Sequence, residues 1–334
     1  MTTHSDAPST GQVRKVLAVA ATPDDAETVA AAAGFAARQG ASLSLLACIE
    51  PHSDLDRLAR STGMTRAQMT ARQVTARQQT LMALAREIGL TDPGAVTVTV
   101  GKPYIEISRH VAANGIDVVV KPAERLHGAG RFLFASTDQH LVRNCPCAVW
   151  LRLPDAPDPP VTILAAVDVD DWDAREPETL AALNRQIVET GLRLAGGQNG
   201  AVHVLHAWDA MGEGLVGLFA PAQDARSAAQ IYVNDVQTAH AASLERLIAP
   251  YRAQARQAGG PRIASVLGKG PVRAVIAQQV DRRGVDILVM GTVARTGLSG
   301  IVIGNTAEDI LNTVGCSVMT VKPEGFVSPL QLDI

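Results

Sequence analysis

The sequence predicts an α/β protein built as two tandem doubly wound domains. Three observations predict it. Short apolar runs alternate with helical patterns along the whole chain, as parallel strands joined by right-handed helical crossovers require. The segment Arg152-Leu-Pro-Asp-Ala-Pro-Asp-Pro-Pro160 holds four prolines in nine residues, fits neither a helix nor a central strand, and cuts the chain near its middle. The stretches on either side of it repeat each other.

The elements follow in order. In the first half, strands are expected near 14–20, 43–49, 96–100, 117–121 and 147–152, with helices near 24–38, 67–88, 103–113 and 137–144. In the second, strands are expected near 161–167, 201–207, 262–267, 286–290 and 316–321, with helices near 177–195, 233–257, 271–282 and 305–313. The strands are nearly continuous apolar runs, the pattern of parallel strands covered on both faces. The repeat shows in paired pieces: Lys15-Val-Leu-Ala-Val-Ala20 with Thr162-Ile-Leu-Ala-Ala-Val167, Gly101-Lys-Pro103 with Gly268-Lys-Gly270, and Gly115-Ile-Asp117 with Gly284-Val-Asp286. Asp117 to Asp286 and Cys147 to Cys316 share one offset, 169, which marks a duplicated domain. The resulting division is a first domain over 13–152, a linker over 153–160, a second domain over 161–322 and a tail over 323–334.

Composition narrows the function. The 334 residues are 47% hydrophobic and 19% charged, a globular balance with material for a sizeable core. Thirty basic against 33 acidic residues give a net charge of −3, and aromatics are only 3%, so neither a basic nucleic-acid face nor a base-stacking platform is expected. No uncharged run reaches the roughly 20 residues a membrane span needs. The polar start MTTHSDAPSTGQ has no secretory signal, and Cys48, Cys145, Cys147 and Cys316 form no disulfide framework. A cytoplasmic location follows as the expectation.

In an open α/β sheet, ligands sit at the carboxyl ends of the strands. In the second half, Asp168 follows the first strand, and the fourth strand runs into Met290-Gly-Thr-Val-Ala-Arg-Thr-Gly-Leu-Ser-Gly-Ile-Val-Ile-Gly-Asn-Thr-Ala307. The glycines there allow tight turns and close approach of a ligand. Asn305 or Thr306 can cap the next helix, whose free N–H groups suit a phosphate, and Arg295 can add a charged contact. On spacing alone, these glycines read as plain turn chemistry and Asn305 or Thr306 as only a cap.

Gly291-Thr-x-x-Arg295-Thr-Gly297-Leu-x-Gly300 followed by Ile303-Gly304-Asn305-Thr306-Ala307-Glu308 resembles the signature of the universal stress protein family. The Cys-x-Val pieces at 147–149 and 316–318 resemble its last strand. Ser136-Thr-Asp-x-His140-Leu-x-Arg143-x-Cys145-Pro146 and Gly304-Asn-Thr-Ala-Glu308 are similar to the tandem UspE type. The resemblance implies a five-strand sheet in the order 3-2-1-4-5 in each half. It also implies pairing through the last strand, so that the halves form an internal pseudo-dimer and two chains can form a homodimer. Some family members hold ATP by Gly-x2-Gly-x9-Gly-Ser/Thr with an Asp after the first strand. Asp168, Gly291 and Gly304 match; Ala294 replaces the second glycine and Asn305 the Ser/Thr. The implied nucleotide-binding set is therefore Asp168, Gly291, Arg295, Gly304, Asn305 and Thr306, with ATP as the candidate ligand of the second half. The first half departs further, with Ala21 for the aspartate, Lys121-Pro122 where the glycines begin and Ala135-Ser136-Thr137 for Gly304-Asn305-Thr306, so no nucleotide site is assigned to it. Lys121 reads there as a strand-end lysine reaching solvent.

Other signals are set aside at this stage. Gly212-Glu-Gly214-Leu-Val-Gly217 matches a dinucleotide fingerprint literally, but it follows the second strand, and Pro221 shortly after reads as a flexible insertion. His203 and His206, three apart on a strand, point to opposite faces and make no joint metal site. Asp170, Asp171 and Asp173 read as a solvated acidic loop. No metal centre and no catalytic residues are expected. The function implied is stress resistance through binding or scaffolding rather than conventional catalysis. An ATP-binding sensor, at most a slow ATP hydrolase, stands beside it. So does a carrier of a lipid-like, apolar or amphipathic ligand using the insertion from Ala207 to Tyr232.

Overall fold

A computed structural model describes residues 12–51, 54–124, 134–170, 176–219, 221, 223–292 and 305–330. It has two compact units. The first holds the described residues up to Glu124, Ala135–Asp155 and Phe326–Leu330; the second holds Phe134 and Ala156–Gly325.

The first unit runs β1 (Lys15–Val19), α1 (Ala26–Gln39), β2 (Ser42–Ile49), α2 (Leu55–Thr62), α3 (Arg66–Glu87), β3 (Val96–Val100), α4 (Pro103–Asn114), β4 (Val118–Pro122), α5 (Ser136–Asn144) and β5 (Ala148–Arg152). Its strands pair in parallel in the order β3-β2-β1-β4-β5. The second unit runs β6 (Thr162–Val167), α6 (Pro177–Ala195), β7 (Ala201–Trp208), α7 (Glu213–Phe219), α8 (Ala225–Ala258), β8 (Arg262–Lys269), α9 (Val272–Arg283), β9 (Ile287–Gly291), α10 (Asn305–Leu311) and β10 (Ser317–Val321). Its strands are also parallel, in the order β8-β7-β6-β9-β10. Both sheets thus have the 3-2-1-4-5 order, and the first strand lies between the second and the fourth.

The repeated pieces have repeated jobs. Gly115 and Gly284 follow α4 and α9 with φ of 61° and 57°, the left-handed cap that only glycine adopts without strain. Two residues on, the Asp117 carboxylate accepts from the Arg14 and Lys15 backbone N–H groups, and Asp286 accepts from that of Thr162. Each aspartate fixes where the central strand of its sheet starts. The strand centres are closed to water: Leu17, Ala18, Leu45 and Val119 in one sheet, Ile163, Leu164, Val204 and Leu288 in the other.

Two expectations need correction. α2 forms where no helix was expected, between Asp54 and Gly63, the latter in the left-handed conformation. The stretch read as a flexible insertion carries α7, and α8 starts at Ala225, well before the expected residue 233. The Gly212 N–H donates to the Tyr232 hydroxyl, Lys269 pairs with Glu213 at 2.6 Å, and Trp208, Ala210 and Val233 make a small core beneath. These contacts order the segment. Phe326–Leu330 belong to the first unit, and the Ser328 hydroxyl donates to the Asn144 carbonyl at 2.6 Å. Among the described residues, no helix is long and apolar enough to cross a membrane.

Candidate functional site

In the second unit, Asp168 follows β6 and Gly291 ends β9, so the parallel pairing of these strands sets both at the carboxyl edge of the sheet. The backbone at Asp168 is gripped by a residue that sequence reasoning did not single out. The buried Asn184 of α6 accepts from the Asp168 N–H (3.0 Å) and donates to the Asp168 carbonyl (2.6 Å). The Asp168 carboxylate accepts from the Asp170 N–H, a local turn that aims it back along the loop.

Gly291 has a packing reason for being glycine. A Cβ there would lie 2.8 Å from Leu183 Cδ2 and 3.5 Å from Ile187 Cδ1, so the end of the Leu183 side chain would have to shift to admit one. The next residue points the other way in function. Thr292 is buried, and among the described residues its hydroxyl has no hydrogen-bond partner. Leaving such a group unsatisfied costs about 1–3 kcal/mol. Asn305 and Thr306 open α10. Arg295 and Gly304, like Ala294, lie outside the described residues.

The equivalent corner of the first unit is filled differently. Lys121 is only 5% exposed and does not reach solvent, which corrects the expectation. Its Nζ lies 2.8 Å from the fully buried Asp138 of α5 and 2.7 Å from Glu124, and Asp138 also accepts from the Glu124 N–H. Burial alone would lower the Lys121 pKa; the two carboxylates outweigh it and hold the ammonium above its ordinary value. The offset of 169 maps Lys121 and Asp138 onto Met290 and Ala307, so the second unit has no such ion pair.

A second polar cluster lies on the other side of Asp168. His206 of β7 faces α8 together with Val204 and Trp208, whereas His203 faces α9, its Nδ1 3.5 Å from Arg283 Nη1. The two histidines do diverge, as the strand period demands. On α8, however, Val233, Val236, His240, Leu244 and Ile248 form one helical stripe, and His240 brings its Nδ1 to 3.1 Å from His206 Nε2 and 2.9 Å from Asp170 Oδ1. Burial lowers the His206 pKa, against the opposing pull of Asp168 and Asp170.

The profile of the universal stress protein family matches residues 12–151 and again 161–322. The chain belongs to the universal stress protein family. Universal stress protein E of Salmonella typhi is 29% identical over 234 residues, covering 70% of this chain and 69% of that protein. Universal stress protein E of Escherichia coli K12 is 28% identical over the same shares. Two solved structures have TM-scores of 0.57: a functionally unknown protein from Pseudomonas aeruginosa PAO1, 21% identical over 93% of each chain, and a universal stress protein from Archaeoglobus fulgidus, 14% identical over 93% of this chain and 99% of that one. At these identities the two structures speak to the fold alone. The two matches make this a tandem universal stress protein of the UspE type, and family membership supports a stress-response role.

For a universal stress protein, the thiols are poorly placed as reagents. Cys145 and Cys147 are buried with sulfurs 3.6 Å apart, and burial pushes Cys48 up to about 11 and Cys316 up to about 12, far from the thiolate form at neutral pH. The residues missed by sequence reasoning left faint signals. Asn184 is a polar residue on the buried stripe of α6, and His240 is one on that of α8; each marks a polar group the fold must satisfy.

Proposed function

We propose that this universal stress protein acts in stress resistance, in the cytoplasm, as a binding protein rather than a conventional enzyme, and that an adenine nucleotide is held by the second unit alone. The observation that carries this reading is the buried Thr292 hydroxyl without a partner at the end of β9, a donor and acceptor that a ligand beside it would satisfy. Support comes from the loop at Asp168 held by Asn184, and from the sequence match of Gly291 and Gly304 to the family's ATP pattern. In the first unit, the Lys121–Asp138 pair stands at the matching corner with its charges already neutralised.

Calorimetric titration with ATP tests it on the full chain. Ala294→Gly should bind more tightly than the unaltered protein, since a Cβ disfavours the left-handed backbone a phosphate loop uses. Gly304→Val should abolish binding. Equal affinity in all three would remove this loop as the site, and no heat in any would favour a scaffold without ligand.

One observation favours a second reading, a carrier of an apolar or amphipathic ligand. Met211 before α7, and Leu215, Leu218 and Phe219 on it, are 55–86% exposed. Lipid released on denaturing freshly purified protein would support this reading; its absence would count against it.

A further inference from the structure

We propose that Asp170, His206 and His240 form a binding site for one divalent first-row transition metal ion of the zinc type, with a fourth position left to solvent or a small ligand. The site belongs to the second unit and is independent of whether nucleotide binds there.

The geometry is that of one face of a coordination tetrahedron. Ligands about 2.0–2.1 Å from a tetrahedral zinc lie about 3.3 Å from one another. Here His206 Nε2 and His240 Nδ1 are 3.1 Å apart, His240 Nδ1 and Asp170 Oδ1 2.9 Å, and His206 Nε2 and Asp170 Oδ1 3.9 Å. These three atoms are the ligand atoms of the cluster. Two imidazole nitrogens with one carboxylate oxygen is a donor set suited to zinc, copper, nickel or iron(II), and unsuited to magnesium or calcium, which prefer oxygen.

Hydrogen bonding alone serves this trio poorly. A carboxylate only accepts, so the contact to Asp170 places a hydrogen on His240 Nδ1. That hydrogen must then be shared with His206 Nε2, which faces the same point. His206 Nδ1 lies 3.4 Å from both the Val167 carbonyl and the Val169 N–H. Donating to the carbonyl, the tautomer a metal would select, leaves the Nε2 lone pair directed at His240 and Asp170. This is how a metal-binding histidine is oriented, its far nitrogen tied to a backbone carbonyl. One cation would take the Asp170 carboxylate and a lone pair from each imidazole at once, the hydrogen of His240 then standing on its Nε2.

The surroundings supply rigidity and access. His206 is 1% exposed on a central stretch of β7, and α8 fixes His240 against Trp208, their ring centroids 5.7 Å apart. The side chains of His240 and Asp170 retain 14% and 16% exposure, enough for an ion to enter and for a fourth ligand to exchange. Three protein ligands and one open position is the arrangement of exchangeable or catalytic zinc, whereas structural zinc is enclosed by four.

The test uses full-length protein stripped with a chelator and titrated with Co²⁺, then with Zn²⁺ in competition. Expected are one equivalent of Co²⁺ with the intense visible bands of four-coordination, displacement by Zn²⁺, and quenching of the Trp208 emission by bound Co²⁺. His240→Ala and Asp170→Asn, at the two partly exposed ligands, should each weaken Zn²⁺ affinity by about 100-fold or more while circular dichroism stays unchanged. His203→Ala, on the opposite face of the strand, should bind as the unaltered protein does. Failure to take up a stoichiometric equivalent, a weak six-coordinate cobalt spectrum, or full affinity in the two ligand variants would overturn the proposal.

Discussion

The two halves of this chain solve the same corner in opposite ways. Where β4 meets α5, the first unit buries an ammonium against a carboxylate. Where β9 meets α10, the second unit has Met290 and Ala307 at the equivalent positions, and the buried Thr292 hydroxyl has no partner among the described residues. The end of the first strand differs too. In the first unit, the nearby, half-buried Asp25 accepts from the N–H groups of Ala21 and Thr22. In the second, Asn184 reaches over from a helix 16 residues on. A duplicated domain has therefore kept its frame and varied its strand ends: one copy fills the corner with an ion pair, and the other places a methionine and an alanine there.

The largest test of this comparison breaks the ion pair. Lys121→Met leaves the Asp138 carboxylate buried without its cation, which should cost the first unit about 3–5 kcal/mol in denaturant unfolding. Lys121→Met with Asp138→Ala reproduces the second unit's pair of residues and should recover most of that loss. If the single variant is no less stable than the double, Lys121 does not neutralise that corner.

Asn184→Ala comes next. It removes a buried side chain that both accepts from and donates to the half-buried backbone at Asp168, and should lower the stability of the second unit by about 1–3 kcal/mol. Asp25→Ala in the first unit removes a half-buried acceptor that bonds only three and four residues away, and should cost about 1 kcal/mol or less. Equal losses would mean that the long-range clamp is no stronger than the local one.

How much of this was legible in the sequence depends on the range of the interaction. Strands stood out because both faces are covered, which makes each a run of apolar residues, and the strand order followed from the family resemblance. α2 was missed because Leu55-Asp-Arg-Leu-Ala-Arg-Ser-Thr62 is only eight residues long and poor in apolar residues, although Leu55, Leu58 and Ala59 fall at helical spacing. Lys121 was misread because its partner lies 17 residues further along the chain, and a lysine is rarely buried without one. His206 was weighed only against His203 on its own strand, whereas its neighbour His240 is 34 residues away on a helix whose start was placed late. Gly291 was legible as a special position, but not that Leu183 occupies the space over it.

That last point gives a smaller test. Gly291→Ala should cost the second unit about 1–3 kcal/mol, because the new methyl meets Leu183 Cδ2 in a packed core. Combining it with Leu183→Val should give a loss clearly smaller than the sum of the two single losses, since one change makes room for the other. Strict additivity would mean that glycine is needed there for a reason other than α6.

The smallest expected effect concerns acid. His110 on α4 and His203 on β7 are half-buried, one in each unit, and burial lowers the pKa of both from 6.5. For His203, Arg283 and Arg262 push in the same direction. A lowered folded-state pKa means that the unfolded chain binds the proton more readily. The stability tied to each neutral imidazole is therefore present above the unfolded value of 6.5 and is lost as pH falls through that value towards the lower folded one. Gln at either position cannot titrate, so His203→Gln and His110→Gln should each flatten the fall of unfolding midpoint between pH 7 and pH 5. The flattening should be greater for His203, where two arginines add to desolvation, than for His110, where burial acts alone. Unfolding curves at a series of pH values decide it, and a steeper acid loss in His203→Gln would show that its imidazole is stabilised by protonation, against the sign argued from its neighbours.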